Sequence, residues 1–264
     1  MDLGLKDRAV LVTGGNRGIG LAIALAFAGE GANVAVCGRD EAALEQARES
    51  IAGHGVRAAA VAADLFTREG CERAVSATVE AFGRLDVLVN NASTGASGEL
   101  EEIGDDVLME RLMGKTLGAM RCTRAALPHL RASGRGRIVC IAGTAARVPG
   151  KGALPSGLSN AAVTNFAKQI SNGVAPDGIT VNVVHPSVTR TERTWRNRVA
   201  DRARDRGISL EEAQASFVAG FPIGRMVEPG DIAALVLFLA SAHAGAITGQ
   251  AIAVDGGSTP SAVY

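Results

Sequence analysis

"VLVTGGNRGIG", residues 10–20, passes from a short β-prone run into a glycine-rich turn and then into the opening of a helical pattern. Gly14, Gly18 and Gly20 fall directly after the strand and at the start of the helix. Small residues at these places let the backbone turn tightly and approach a pyrophosphate, whose charge then meets the helix N-terminus. The stretch therefore predicts a dinucleotide cradle walled by Gly14, Asn16, Arg17, Gly18, Ile19 and Gly20.

Two arginines refine the choice of dinucleotide. Arg17 lies within the turn, Arg39 follows the second strand-like run, and Gly38 stands where an acid would grip a ribose 2′-hydroxyl. Guanidinium groups pair well with phosphate, so NADP(H) is favoured over NAD(H). Asp40 has two readings: it caps the following helix, or it reaches the ribose and turns the preference to NAD(H).

Working outward, short apolar runs alternate with longer Ala/Leu-rich stretches: "RAVLVTG", "NVAVCG", "RAAAVAAD", "LDVLVNNA", "GRIVCIAG", "ITVNVVHP" and "QAIAVDGG". Between them, apolar spacing of three and four predicts helices over Ile19–Ala28, Glu41–Ala52, Arg68–Phe82, Leu108–Leu130 and Leu158–Ile170. Strands apolar throughout and separated by helices specify an α/β fold, a Rossmann-type doubly wound parallel sheet of seven strands. No linker or repeat interrupts it, so residues 1–264 read as a single dinucleotide-binding domain with a substrate lid insertion at about 188–225.

The composition excludes several classes. The 27 basic and 27 acidic residues cancel, which removes any global attraction to nucleic acid or to anionic membrane. The start of the chain lacks a leader pattern and the longest apolar run, Ile232–Ala240, is too short to span a bilayer, so a soluble cytoplasmic protein is expected. Cys37, Cys71, Cys122 and Cys140 are widely spaced and read as reduced core thiols, with no metal site.

Several ordered motifs carry a resemblance: "TGGNRGIG" (13–20), "NNAS" (90–93), "HPSVTRT" (185–191) and "ITGQAIAVDGG" (247–257). From about Leu5 to Gly257 the chain resembles the short-chain dehydrogenase/reductase family, close to its 3-oxoacyl-(acyl carrier protein) reductase-like members. The resemblance implies that Asp64 and Leu65 border the adenine, Asn91 and Ala92 the neighbouring ribose, and Thr189 and Thr191 the nicotinamide end, with Ser187 also in the cofactor site. It also implies a homo-oligomer, dimer or tetramer. Ser93 and Ser187 stand where the family usually has glycine.

Family members pass a hydride to or from the nicotinamide while a tyrosine passes the proton, supported by a lysine one helical turn on, a serine and an asparagine. Here the serine position falls on Gly143, with Thr144 beside it, the tyrosine position on Ser156, the lysine position on Asn160 and the asparagine position on Lys115. The single tyrosine of the chain, Tyr264, is its last residue. A frayed end is the plainer reading of it; entry into a neighbouring subunit's pocket is the other. Ordinary tyrosine chemistry within one subunit is excluded.

Lys115 is the leading substitute, because an ammonium enclosed beside a cationic nicotinamide has a lowered pKa and can donate a proton. Its alternative is a solvated side chain paired with Glu110 or Glu102. Ser156 is a poorer donor, since its hydroxyl reaches less far and its pKa is too high. Lys151 reads as a loop charge, His185 as a packed histidine, and His54, His129 and His243 as surface residues. Residues 190–206 hold seven arginines against three acids. Arg190, Arg193, Arg196 and Arg198, with Trp195 as an apolar lid, could draw in an anionic or carrier-linked small molecule; a helix laced by Glu192, Asp201 and Asp205 is the alternative.

Three functions fit: an NADP(H)-dependent oxidoreductase of carbonyl or alcohol substrates with an atypical active site, a catalytically silent cofactor-binding or scaffold subunit, and a lyase, dehydratase or isomerase on the same fold.

Overall fold

The computed structural model describes residues 1–93, 95, 97–192 and 198–260. Arg193, Trp195, Arg196 and Tyr264 lie outside the described residues. The chain runs β1 (Ala9–Thr13), α1 (Gly18–Gly29), β2 (Asn33–Gly38), α2 (Glu41–Ala52), β3 (Ala58–Ala62), α3 (Arg68–Phe82), β4 (Val87–Asn90), α4 (Asp105–Arg111), α5 (Gly118–Ala132), β5 (Arg137–Ile141), α6 (Leu154–Val174), β6 (Thr180–Pro186), α7 (Ala200–Arg206), α8 (Leu210–Val218), α9 (Pro229–Ala240) and β7 (Ala251–Val254). It forms one α/β domain of the Rossmann type.

The seven strands lie in the order β3-β2-β1-β4-β5-β6-β7, and every neighbouring pair is parallel. β1 is the pivot: Val12 sits opposite Val36 of β2 on one side and Val89 of β4 on the other. Strand order reverses there, which opens a crevice beyond the C-terminal ends of β1 and β4. The uniformly buried runs of β1, β5 and β6 follow from cover on both faces. One face is packed by Ile23 and Phe27 of α1, Leu44 of α2, and Val236 and Leu239 of α9. Val75 of α3, Cys122 and Leu130 of α5, and Val163 and Ala167 of α6 pack the other. All four cysteines are free and buried within these layers.

The periodicity that predicts one helix over Leu108–Leu130 is broken in the structure. α4 ends at Arg111, a π-helical turn spans Leu112–Leu117, and α5 begins at Gly118. A wider turn shifts the angular position of the side chains, and Gly114 and Lys115 within it are buried. α6 is longer than its apolar spacing implies. Pro155 sits in its first turn, where a missing N–H costs nothing, and its early serines and glycine carry no apolar signal. No helix among the described residues is long and apolar enough to cross a membrane.

Candidate functional site

The glycine-rich turn is shaped from beneath. A Cβ at Gly20 would stand 2.2 Å from the Gly14 carbonyl oxygen and 2.4 Å from Asn91 Nδ2, so only glycine lets α1 start this close to the turn. Asn91 Nδ2 donates to the carbonyls of Thr13 (2.9 Å) and Gly14 (3.1 Å). Thr13 Oγ1 accepts from the backbone N–H groups of Asn91 (2.9 Å) and Ala92 (3.0 Å). Thr13 and Asn91 thus lock the ends of β1 and β4 together beneath the cradle. Thr13 was not foreseen from the sequence, because a threonine ending a strand is unremarkable until its partners are known.

The cradle fits an anionic cofactor. Arg17 occupies the cap position of α1 and has no acceptor with which to cap it, so the N–H groups of the first turn are left for an external anion. Thr191 lies against Gly18, its Cγ2 3.5 Å from where a Cβ would be. The two ends of the expected cofactor site, far apart in the chain, therefore meet. Thr189 is buried and donates to Ser187 O at 3.1 Å, while the buried Ser187 Oγ has no protein partner among the described residues. Asp64 is exposed and accepts from Phe66 N at 3.1 Å, and Leu65 is buried beside it.

At the far edge, Arg39 is exposed with its guanidinium over the Phe66 ring, 5.3 Å from the centroid. Asp40 caps α2 by accepting from Ala43 N at 3.1 Å, which is the capping reading of that residue.

Beyond the end of β5 the structure brings Lys115, Gly143, Ser156 and Asn160, distant in the chain, into one region. Lys115 is 6% exposed, and its Nζ donates to Ala142 O at 3.1 Å. The solvated alternative, with Glu110 or Glu102 as partner, is thereby overturned: the π-helical turn carries the side chain inward to the end of β5. The Lys115 pKa is pushed down to about 7, by burial first and by the Arg111 charge second, against an opposing effect of Cys140. Burial therefore does what the sequence reading assigned to a cationic nicotinamide.

Gly143 and Asn160 are fitted to each other. A Cβ at Gly143 would lie 2.7 Å from Asn160 Nδ2, so a side chain there and the present amide compete for one space. Asn160 is 4% exposed and its Oδ1 has no partner among the described residues. Thr144 opens a single 3₁₀ turn immediately after. His185 is buried, with Nδ1 donating to Gly143 O at 2.7 Å and Nε2 3.3 Å from Thr164 Oγ1, and burial lowers its pKa. It is a packed histidine beneath the site.

Arg111 escaped the sequence reading altogether. It is buried, and its guanidinium donates to Ser93 Oγ (2.6 Å), Ser159 Oγ (3.2 Å) and Ser156 Oγ (3.4 Å). The available signal was its place four residues before Lys115, hence on the same helical side. A cavity lined by Thr13, Leu65, Asn90, Ala92 and Lys115 has about 10 Å³ of free space, roughly what one water requires.

Among the described residues, charges of the arginine-rich stretch and of the loop after β5 form ion pairs. Arg190 pairs with Glu228 at 3.3 Å, Arg204 with Asp201 at 2.6 Å, and Lys151 with Glu99 at 3.3 Å. Among the described residues no group of three or more His, Cys, Asp or Glu could hold a metal ion.

A doubly wound sheet with a glycine-rich turn at its switch point defines a dinucleotide-binding protein. The chain matches, over residues 14–259, the family model described as Enoyl-(Acyl carrier protein) reductase. It is 34% identical over 256 residues to the short-chain reductase protein NovJ of Streptomyces niveus, covering 96% of this chain and 94% of that one. It is 31% identical over 262 residues to the NADPH-dependent reductase BacG of Bacillus subtilis, covering 97% of this chain and 100% of the relative. In three dimensions it superposes with a TM-score of 0.94 on L-sorbose reductase from Gluconobacter frateurii complexed with NADPH and L-sorbose, at 32% identity over 99% of this chain and 100% of that one. The chain belongs to the short-chain dehydrogenase/reductase family.

Proposed function

We propose that this protein is an NADP(H)-dependent oxidoreductase that interconverts a carbonyl and an alcohol, with Lys115 moving the proton. The observation that carries the reading is the burial of Lys115 at the end of β5 with a pKa of about 7. A pKa near neutrality is that of an efficient general acid or base, whereas a solvated lysine holds its proton too tightly.

The residues that would hold the cofactor are the turn from Gly14 to Gly20, Asp64 and Leu65, Asn91 and Ala92, and Ser187, Thr189 and Thr191. Arg39 would meet the 2′-phosphate, and Asp40, engaged in its cap, leaves that role to it. The NADPH-dependent relatives support the same preference. When bound, the reduced cofactor supplies a hydride to the carbonyl carbon. Lys115 in its ammonium form gives a proton to the carbonyl oxygen and is left as a neutral amine, which regains its proton from solvent. Ser156, on α6, orients that oxygen. Residues about 188–225 would cover the substrate. A homo-oligomer is supported by the outer groove between α5 and α6, about 810 Å³, where Met120, Leu127, Phe166 and Ile170 are only partly covered.

The test is NADPH oxidation against a panel of ketones, for the wild type and for Lys115→Gln. Loss of a positioned acid lowers the rate by about a hundred- to ten-thousand-fold. The wild-type rate of carbonyl reduction should fall as pH rises through about 7, as the ammonium is lost, and alcohol oxidation should rise. Tight NADPH binding with no oxidation across the panel would favour the silent subunit. Substrate consumption at constant NADPH absorbance would favour the non-redox enzyme.

A further inference from the structure

The loop after β3 docks onto the helical stretch that carries Lys115. Gly114 lies in the π-helical turn, and Gly118, four residues on, opens α5. Both meet that loop at close range. A Cβ at Gly114 would stand 2.6 Å from Phe66 Cζ and 2.9 Å from its Cε1, and a Cβ at Gly118 would stand 3.0 Å from Leu65 O. Bare backbone at both places lets Phe66 bring the tip of its ring against the turn itself.

Phe66 is half-buried, yet each part of it is held. Its N–H donates to Asp64 Oδ1 at 3.1 Å, and its carbonyl accepts from Arg121 Nη1 of α5 at 2.6 Å. The Arg39 guanidinium covers one face of the ring. The residue is thus tied to α5 through its backbone and to the turn before α5 through its ring.

On the inner side the turn is less well supported. The cavity of about 10 Å³ lies between Gly114, Lys115 and Gly118 on one wall and Thr13, Ile141 and Val163 on the other. A void withholds contacts from the atoms around it, so the outer contact with Phe66 carries more of the turn's position. Consecutive residues of a helical turn point roughly a quarter-turn apart. Fixing Gly114 against the ring therefore fixes where Lys115 points, and its Nζ meets Ala142 O at 3.1 Å.

We propose that Phe66 is a positioning residue for Lys115: its ring, braced against Gly114, holds the π-helical turn in the orientation that directs the lysine inward to the end of β5. The proposal rests on the placement of Lys115 and not on the reaction assigned to it.

The test is carbon-13 NMR titration of the full chain labelled at lysine, without cofactor. Lys6, Lys115, Lys151 and Lys168 are the only lysines, so their signals are few, and Lys115 is identified by the one lost in Lys115→Gln. In the wild type Lys115 should titrate at about 7. Phe66→Ala releases the turn and hydrates the amine, which should raise that midpoint by about one pH unit or more, a tenfold gain in proton affinity. Phe66→Leu keeps bulk against Gly114 and should stay near the wild-type value. Gly114→Ala should act in the same sense as Phe66→Ala, from the other side of the contact. The groups facing the amine, Arg111 of α4, Cys122 of α5, Cys140 of β5 and His185 of β6, are the same in every variant. Leu44→Ala, a core truncation on the opposite face of the sheet, should cost stability and leave the midpoint where it is. An unchanged midpoint in Phe66→Ala or in Gly114→Ala, or an equal rise in Leu44→Ala, would overturn the proposal alone. A wild-type Lys115 that titrates with the other three lysines would overturn both it and the proton-transfer reading.

Discussion

Replacing Lys115 by methionine should make the protein more stable near neutrality and flatten its pH dependence. The folded-state pKa of Lys115 is about 7 against an ordinary value of 10.5, so between these limits the unfolded chain carries a proton on the amine that the folded chain has released. Unfolding then binds a proton, and stability rises with pH across the window. One unit corresponds to about 1.36 kcal/mol, so from pH 7 to pH 9 Lys115 alone contributes roughly 2–3 kcal/mol, against a domain total of about 5–15 kcal/mol. Methionine retains the apolar stem and discards the charge. Its cost is the hydrogen bond to Ala142 O, about 1 kcal/mol. The range is chosen to isolate the effect. His185, lowered from 6.5, acts mainly below pH 6.5, while Cys37 and Cys140, raised by burial, and Cys122, raised by its hydrogen bond with Cys71 and by burial, give an opposite slope as pH approaches 9 that both proteins share and that largely cancels in their difference. Urea unfolding at pH 7, 8 and 9, at constant ionic strength and without cofactor, reads the difference between the two proteins. The methionine variant's advantage should shrink by roughly 2–3 kcal/mol across that range. Parallel stability profiles would show that the amine is charged and hydrated in the folded state, and the argument for a neutral-range acid would be refuted.

Arg39→Ala should weaken NADPH binding by about tenfold or more, as loss of a charge-assisted phosphate contact does, and leave NADH nearly unchanged; equal losses measured by fluorescence titration would remove the 2′-phosphate assignment. Gly143→Ser should cost about 1–3 kcal/mol through the clash with Asn160 Nδ2. Adding Asn160→Ala should recover most of it, and simple additivity of the two unfolding energies would disprove the steric coupling. Asp86 is fully buried and joins Arg8 (3.0 Å), Arg84 (2.6 Å) and Ala9 N (2.9 Å) at the far end of β1 and β4. Asp86→Ala is expected to cost about 3–5 kcal/mol in urea unfolding with NADPH affinity unaltered in the folded fraction, because the change lies at the opposite end of the sheet from the glycine turn.

The glycine spacing and the seven apolar runs were legible because each depends on neighbours in sequence. A strand covered on both faces must be apolar throughout, and a backbone that must approach a phosphate must do without side chains. The spacing over Leu108–Leu130 reads as one regular helix because a π-helical turn keeps the same residue types and changes only their angular position. Lys115 lies within that turn, buried at the end of β5. Arg111 was missed for a related reason. An arginine three residues before a glycine reads as a solvated charge until Ser93, Ser156 and Ser159 are brought around it.

From sequence alone came the parallel α/β architecture, the glycine-rich turn of a dinucleotide fold and the absence of any tyrosine before Tyr264. These follow from local spacing and from which residue types are present. Only the tertiary structure decided the surroundings of three side chains: a lysine buried at the end of β5, an asparagine filling the space beside Gly143, and an arginine ringed by serines. Burial and the approach of charges set those properties, and both arise when segments distant in the chain pack together.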